Sequence, residues 1–238
     1  MELHEPKIIS FSGIDGAGKS TQIESLCRFL QEQGKSYKLY TFWDDVVAFS
    51  GWRERLSLRM FRGEKGVGSP ERPIKRRDKN VTSGPVVLFR FFLYLCDMVR
   101  LRAVAERSMD REFDVLVFDR YIYDELANLP LQHAAVLSFI RFLLPFIPKP
   151  DIAFLLDADP EAATQRKPEY PLDFVRRNRT AYLTMAEMSG MKVLVPSSIA
   201  KTSETIRVTT AAMIRDAGKS RDLPGHSLHP SGAETHSS

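Results

Sequence analysis

Nine residues, Gly13-Ile14-Asp15-Gly16-Ala17-Gly18-Lys19-Ser20-Thr21, have the types and spacing to hold a polyphosphate. Gly13, Gly18, Lys19 and Ser20 match G-x-x-x-x-G-K-[ST]. The stretch follows a short apolar run, Lys7-Ile8-Ile9-Ser10-Phe11, and opens a helical pattern from Gln22 to Leu30. Strand, glycine-rich turn and helix form the context in which this spacing makes a phosphate site. Glycines let the backbone curl so that several N–H groups converge on an anion, and the helix N-terminus adds partial positive charge. Gly16 and Ala17 belong to the curl and Thr21 completes it. Lys19 is expected to reach the terminal phosphates, and the Ser20 hydroxyl to hold Mg²⁺. The residues imply a nucleoside triphosphate. An ordinary glycine turn with a solvated lysine is the plainer alternative.

Two further clusters have phosphate chemistry. Asp119 and Arg120 follow the apolar run Asp114-Val115-Leu116-Val117-Phe118. A carboxylate there can reach Mg²⁺ directly or through water, and the arginine can neutralise charge on a transferred phosphoryl group. The competing reading is an aspartate that caps the next helix beside an exposed arginine. The second cluster is Phe174-Val175-Arg176-Arg177-Asn178-Arg179-Thr180-Ala181-Tyr182-Leu183. On a helix Arg176 and Arg179 share a face, and arginines after a short Pro-flanked loop can swing onto phosphates. A solvated basic face is the alternative.

The elements that must position these groups alternate. Strands are expected at 7–11, 37–42, 114–118, 151–156 and 191–195. Helices are expected from Gln22, over 46–61, 86–109, 134–146, to Arg166, and over 173–189 and 203–217. This predicts an α/β fold of three layers, a five-stranded parallel sheet with helices on both faces. The phosphate loop, Asp119-Arg120 and Asp157-Ala158-Asp159 all follow strands, and so converge at the carboxyl ends of the sheet. One domain over 1–217 is expected, with an insertion at 62–84. The Ser-, Gly-, Pro- and His-rich tail 218–238 is expected to be disordered.

Composition sets the class. A chain of 238 residues with 43% hydrophobic and 27% charged residues suits one soluble α/β domain. Cys27 and Cys96 lie in helical apolar patterns with no ligand spacing to a histidine, so they read as buried free thiols in a reducing compartment. Met1 to Pro6 does not read as a signal peptide. The apolar stretches 86–99 and 134–147 carry Arg90, Asp97 and Arg141 and are too short to span a bilayer. The cytoplasm is the expected location. Residues 53–79 hold ten Lys/Arg against four Asp/Glu, which leaves the rest of the chain with 24 basic and 26 acidic side chains. This basic block suits an anionic ligand or a solvated insertion. With no aromatics interleaved as on a single-strand platform, no nucleic-acid partner is assigned.

Taken together, these residues resemble the thymidylate kinase family of the nucleoside-monophosphate kinases. Four segments carry the resemblance: 11–22 around the phosphate loop, Asp119-Arg120-Tyr121 with Leu126-Ala127, Pro150 to Ala163 with Arg166 after it, and 174–183. Order and spacing agree from residue 7 to about 195. The resemblance implies transfer of the γ-phosphoryl group of ATP, with Mg²⁺, to a nucleoside monophosphate, a dTMP-like acceptor first, in nucleotide biosynthesis. It places Asp15 near the acceptor's sugar or the metal, and Asp119 and Arg120 on metal and phosphates. Arg166, Lys167 and the arginines at 176–179 would belong to a short lid at 167–173 and its base, with Arg177 and Arg179 acting in catalysis. Small-molecule nucleotides are the implied partners, and a homodimer is left open.

The acceptor side departs from the family pattern. Where the family has Arg-Glu-Pro-Gly-Gly after the second strand, this chain has Thr41-Phe42-Trp43-Asp44-Asp45. Tyr94 can still stack on a base, but Met98 stands where an arginine would read it. Arg102, one turn on, is the best-placed substitute. Asp124 and Glu125 replace small polar residues. Two alternatives therefore stand beside the leading one: a P-loop kinase acting on another nucleoside or small molecule, and a nucleotide-binding regulatory module without transfer activity. The charged, Gly- and Pro-rich stretch 62–79 is expected to order only around an anionic ligand. Limited proteolysis should show protection there with ATP and acceptor. Equal cleavage with and without them would point to a passive insertion.

Overall fold

Five short runs rich in aliphatic and aromatic residues pair side by side: β1 (Lys7–Ser12), β2 (Tyr37–Thr41), β3 (Val115–Asp119), β4 (Ile152–Leu156) and β5 (Lys192–Leu194). The computed structural model describes residues 5–47, 84–109 and 113–221. All pairings are parallel, in the order β2-β3-β1-β4-β5. Parallel neighbours need crossover connections, and helices make most of them here: α1 (Lys19–Glu32), α2 (Gly84–Met109), α3 (Ile122–Ala127), α4 (Ala134–Leu143), α5 (Pro160–Arg166), α6 (Leu172–Ser189) and α7 (Ile199–Arg221). The α/β sheet expected from the sequence is the one that forms.

Strand periodicity divides the core between two faces. Val115 and Val117 of β3 pack on one side with Ile9, Phe11, Leu26, Leu30, Phe154 and Ile206, beneath α1 and α7. Leu116 and Phe118 point the other way, into a larger cluster with Leu101, Tyr121, Leu126, Ile140, Phe174 and Tyr182. Each fully buried large side chain contributes about 1.5–3 kcal/mol. α7 is further docked by a buried amide: Gln22 donates through Nε2 to the Ile199 carbonyl (3.2 Å) and accepts from Ser203 Oγ (2.7 Å).

Several boundaries differ from the sequence reading. After β2 the chain makes a single π-type turn over Phe42–Val46, in which the Thr41 N–H donates to Asp45 Oδ2 at 2.7 Å. The buried Phe42 and Val46 hold this turn on the core. α3 has no counterpart in the sequence reading, because six residues are too few to show a period. α7 starts before Ser203 and continues through Ala217 to Arg221. The helix expected over 46–61 (from residue 48 on), the insertion at 62–83, the basic block at 53–79 and the tail from 222 lie outside the described residues. No described helix is long and apolar enough to cross a membrane.

β1 sits between β3 and β4, and the chain passes from one side of it to the other between those two strands. That reversal opens a crevice at the carboxyl ends, where Phe11 is level with both Asp119 and Phe154. Gly13 turns out of β1 at φ 144°, and a Cβ there would stand 2.6 Å from the Leu156 carbonyl oxygen. Gly34 also has a positive φ, 64°, but nothing lies within 4 Å of its Cβ position. Gly34→Ala should therefore cost only the left-handed conformation, about 1 kcal/mol, and Gly13→Ala more than about 2 kcal/mol. Urea midpoints at unchanged m-value measure both. Equal losses would show that the β4 contact imposes no constraint.

Candidate functional site

The nine-residue loop leaves β1 at Ser12 and enters α1 at Lys19. Gly16, at φ 83°, lies so close to α5 that a Cβ would come within 2.5 Å of the Ala163 carbonyl oxygen. Only a residue without a side chain fits between loop and helix. The Lys19 side chain folds back over the loop, and Nζ donates to the carbonyls of Gly13 (2.8 Å) and Ile14 (3.0 Å). Burial first, and then the nearby Arg120 guanidinium, lower its pKa from the usual 10.5 to about 8, against the opposing carboxylates of Asp15, Asp124 and Asp119. Ser20 and Thr21 are exposed at the start of α1, and Ala17 is half-buried.

Asp119 ends β3, half-buried, opposite Phe11 on one side and Thr41 on the other. Arg120 follows in the left-handed region, φ 68°, with its N–H donating to the Phe11 carbonyl at 2.9 Å. Its guanidinium is held at both ends. Nη2 donates to Asp15 Oδ1 at 2.5 Å, and Nη1 to Asp124 Oδ1 and the Tyr182 hydroxyl, each at 3.2 Å. Burial opposes the charge, but Tyr182, Asp124, Asp15 and Asp119 outweigh it and keep Arg120 protonated. The structure thus brings Asp15, Lys19, Asp119 and Arg120 to one crevice.

Sequence reading treated Asp124 only as a departure from a family pattern. It is in fact the most connected carboxylate of the crevice. Oδ2 accepts from Ser12 Oγ (2.6 Å) and the Tyr121 N–H (3.1 Å), and Oδ1 accepts from Tyr182 (2.8 Å) as well as Arg120. One local signal existed: Asp124 lies four residues after Arg120, on the first turn of a helix, where a carboxylate receives backbone N–H groups.

The arginines of α6 do not act as a group. Arg179 forms a two-pronged pair with Asp157 at the end of β4, Nε to Oδ1 at 2.6 Å and Nη2 to Oδ2 at 2.7 Å. Arg176 is paired with Glu161 of α5 and Asp173. Arg177 is exposed and makes no hydrogen bond or ion pair among the described residues. On α2, Tyr94 is buried in the larger core cluster and Met98, one turn on, is half-buried against it. Arg102, the substitute expected for a base-reading arginine, is exposed and paired with Glu106 at 3.1 Å, one helical turn away. Arg100 donates to the Val47 carbonyl at 3.0 Å.

The residues fit the groups the sequence implied. Mg²⁺ favours hard oxygen ligands and keeps waters and phosphate oxygens in its shell, so one hydroxyl (Ser20) and one carboxylate (Asp119) suffice. Among the described residues no cluster of three His, Cys, Asp or Glu side chains forms a cage for a metal. Among the described residues nothing stands within 4 Å of the Cβ position of Gly18, which leaves space at the helix start for an anion.

No protein-family model matches the chain. It is 28% identical to the thymidylate kinase of Chlorobaculum tepidum over 230 aligned residues, covering 84% of this chain and 93% of that one. It is 27% identical to the thymidylate kinase of Bifidobacterium longum subsp. infantis, covering 87% of each. A probable thymidylate kinase of Pyrobaculum aerophilum is 32% identical over a shorter stretch, 44% of this chain and 56% of its own length.

The Lys19 pKa has a sign that can be checked. Between about 8 and 10.5 the unfolded chain carries a proton that the folded Lys19 does not. Stability from this group therefore rises with pH across that window, by roughly 3 kcal/mol at most. Lys19→Met should lack the rise and lose turnover by at least about 100-fold. Urea unfolding of both proteins from pH 7 to 10.5, beside steady-state rates, measures this. Parallel pH curves would place Lys19 outside the buried site.

Proposed function

We infer, from a chain that is a divergent member of the thymidylate kinase family, ATP-dependent phosphoryl transfer to a nucleoside monophosphate, with a dTMP-like acceptor first. One observation carries this reading. The glycine loop with Lys19 leaves β1 where Asp119 and Arg120 leave β3, and Arg120 Nη2 reaches back to Asp15 Oδ1 of that loop at 2.5 Å. A glycine-rich turn at a helix start, with a lysine and an arginine beside it, suits a polyanion.

The chemistry is positioning and charge stabilisation, with no covalent enzyme intermediate. The loop N–H groups and the start of α1 hold the donor phosphates, and Lys19 exchanges its Gly13 and Ile14 carbonyls for phosphate oxygens. Ser20 and Asp119 would hold Mg²⁺, which would supply charge neutralisation at the phosphates. Arg120, fixed by Asp15 and Asp124, faces the group in transfer, and Asp15 meets the acceptor's sugar or the metal. Arg177 is free to turn inward from the base of a short lid at 167–173, and Arg179 joins it by leaving Asp157. Tyr94 and Met98 form the acceptor-base side. We place this activity in a single cytoplasmic domain that ends with α7, with small-molecule nucleotides as partners.

A thioether supplies contact area where a guanidinium would supply directed hydrogen bonds. The base site should thus select dTMP over dUMP, UMP and dCMP by less than about 200-fold, the range of an apolar pocket. Arg102→Ala should leave the ratios unchanged, because Arg102 is committed to Glu106. A comparison of kcat/KM for the four acceptors in both proteins measures this. Selection of dTMP by many hundredfold would overturn the degraded base site. Transfer to nucleosides and to no monophosphate would move the acceptor class.

A further inference from the structure

We propose that Asp124 is a positioning residue for phosphoryl transfer, whose carboxylate fixes the Arg120 guanidinium and ties the strand feeding the phosphate loop to α6. Its side chain is 3% exposed. It accepts from Ser12 Oγ, the Tyr121 N–H, Tyr182 and Arg120, which uses the four acceptor positions a carboxylate offers. No capacity remains for a ligand, so Asp124 acts through the groups it holds.

Those groups come from three places. Ser12 is the last residue of β1, directly before Gly13. Tyr121 N–H opens α3, and Tyr182 stands on α6 among the buried aromatics. Arg120 needs such support, because its left-handed backbone persists only where its surroundings over-determine it. With Nη1 on Asp124 and Tyr182 and Nη2 on Asp15, the orientation of the guanidinium is fixed, and Nε–H has no acceptor among the described residues. That donor is set at a defined angle before any phosphate arrives.

An asparagine at 124 keeps the shape and removes the charge. It also sets an NH₂ group where an acceptor oxygen stood, so the four hydrogen bonds that Asp124 accepts cannot all form again. The kinetic part of the test rests on the phosphoryl-transfer reading and the spectroscopic part does not. Asp124→Asn should lower kcat about 10- to 100-fold with the KM for MgATP changed by less than about twofold, and Tyr182→Phe should do the same more mildly. In full-length protein with isotopically labelled arginine, the Arg120 Nη signals should be resolved in the parent, as for a held guanidinium, and averaged in Asp124→Asn. Unchanged kcat with resolved signals overturns the proposal. So does a rise in the KM for MgATP that follows the loss of thermal stability, which marks a purely structural role. If Asp124→Asn does not fold, Tyr182→Phe decides alone by the same two readouts. If the parent transfers phosphate to no monophosphate, the functional reading fails, and averaging of the Nη signals still decides whether Asp124 holds Arg120.

Discussion

Everything at the crevice depends on the parallel register of β1 with its two neighbours. Phe11 is level with Asp119 on one side and Phe154 on the other, so three strands release their chains at one height. The Arg120 N–H can then reach the Phe11 carbonyl, and Gly13 can turn against the Leu156 carbonyl. A slip of one residue would turn every side chain of a strand to the opposite face, away from its core cluster. Val115 and Val117 pack into one cluster and Leu116 and Phe118 into the other, and a slip would exchange these differently shaped pairs. Hydrophobic packing beneath the sheet thereby sets the positions of charged groups at its end.

Electrostatics at that end is a balance of costs. Removing Arg120 and Lys19 from water is unfavourable, and carboxylates from Asp15, Asp124 and Asp119 offset it. Such buried pairs add little net stability compared with apolar packing, but removing one partner leaves a stranded charge. The arrangement therefore favours a single geometry. Asp157 and Arg179 repeat the device at the end of β4, where two parallel hydrogen bonds lock the arginine plane.

The sheet was legible in the sequence because parallel strands buried on both faces read as nearly continuous apolar runs, as at Val115-Leu116-Val117-Phe118. The phosphate loop was legible because its residues are contiguous and follow a restricted pattern of types and spacing. Asp124 was not, since its value comes from Ser12, Tyr121 and Tyr182, two of them far away in the chain. The partner of Arg102 was not legible either. Helical spacing placed the arginine on the face of Met98, but its length let it fold outward to Glu106. Arg176 and Arg179 share a face by periodicity, but each was claimed by a different carboxylate from another element. Short-range pattern predicts which element a residue occupies, and competing partners decide where a long side chain ends.

The contacts of Gly13 and Gly16 bear on how the chain is made. The phosphate loop is made well before the surfaces that shape it, the carbonyls of Leu156 and Ala163 in β4 and α5. Its closure is a contact between distant parts of the sequence, and such contacts form late because a long loop must first be closed. A nascent chain that stops short of α5 holds the whole motif and none of its curvature. The closed shape of the loop is thus a property of the finished fold, reached only once β4 and α5 are in place.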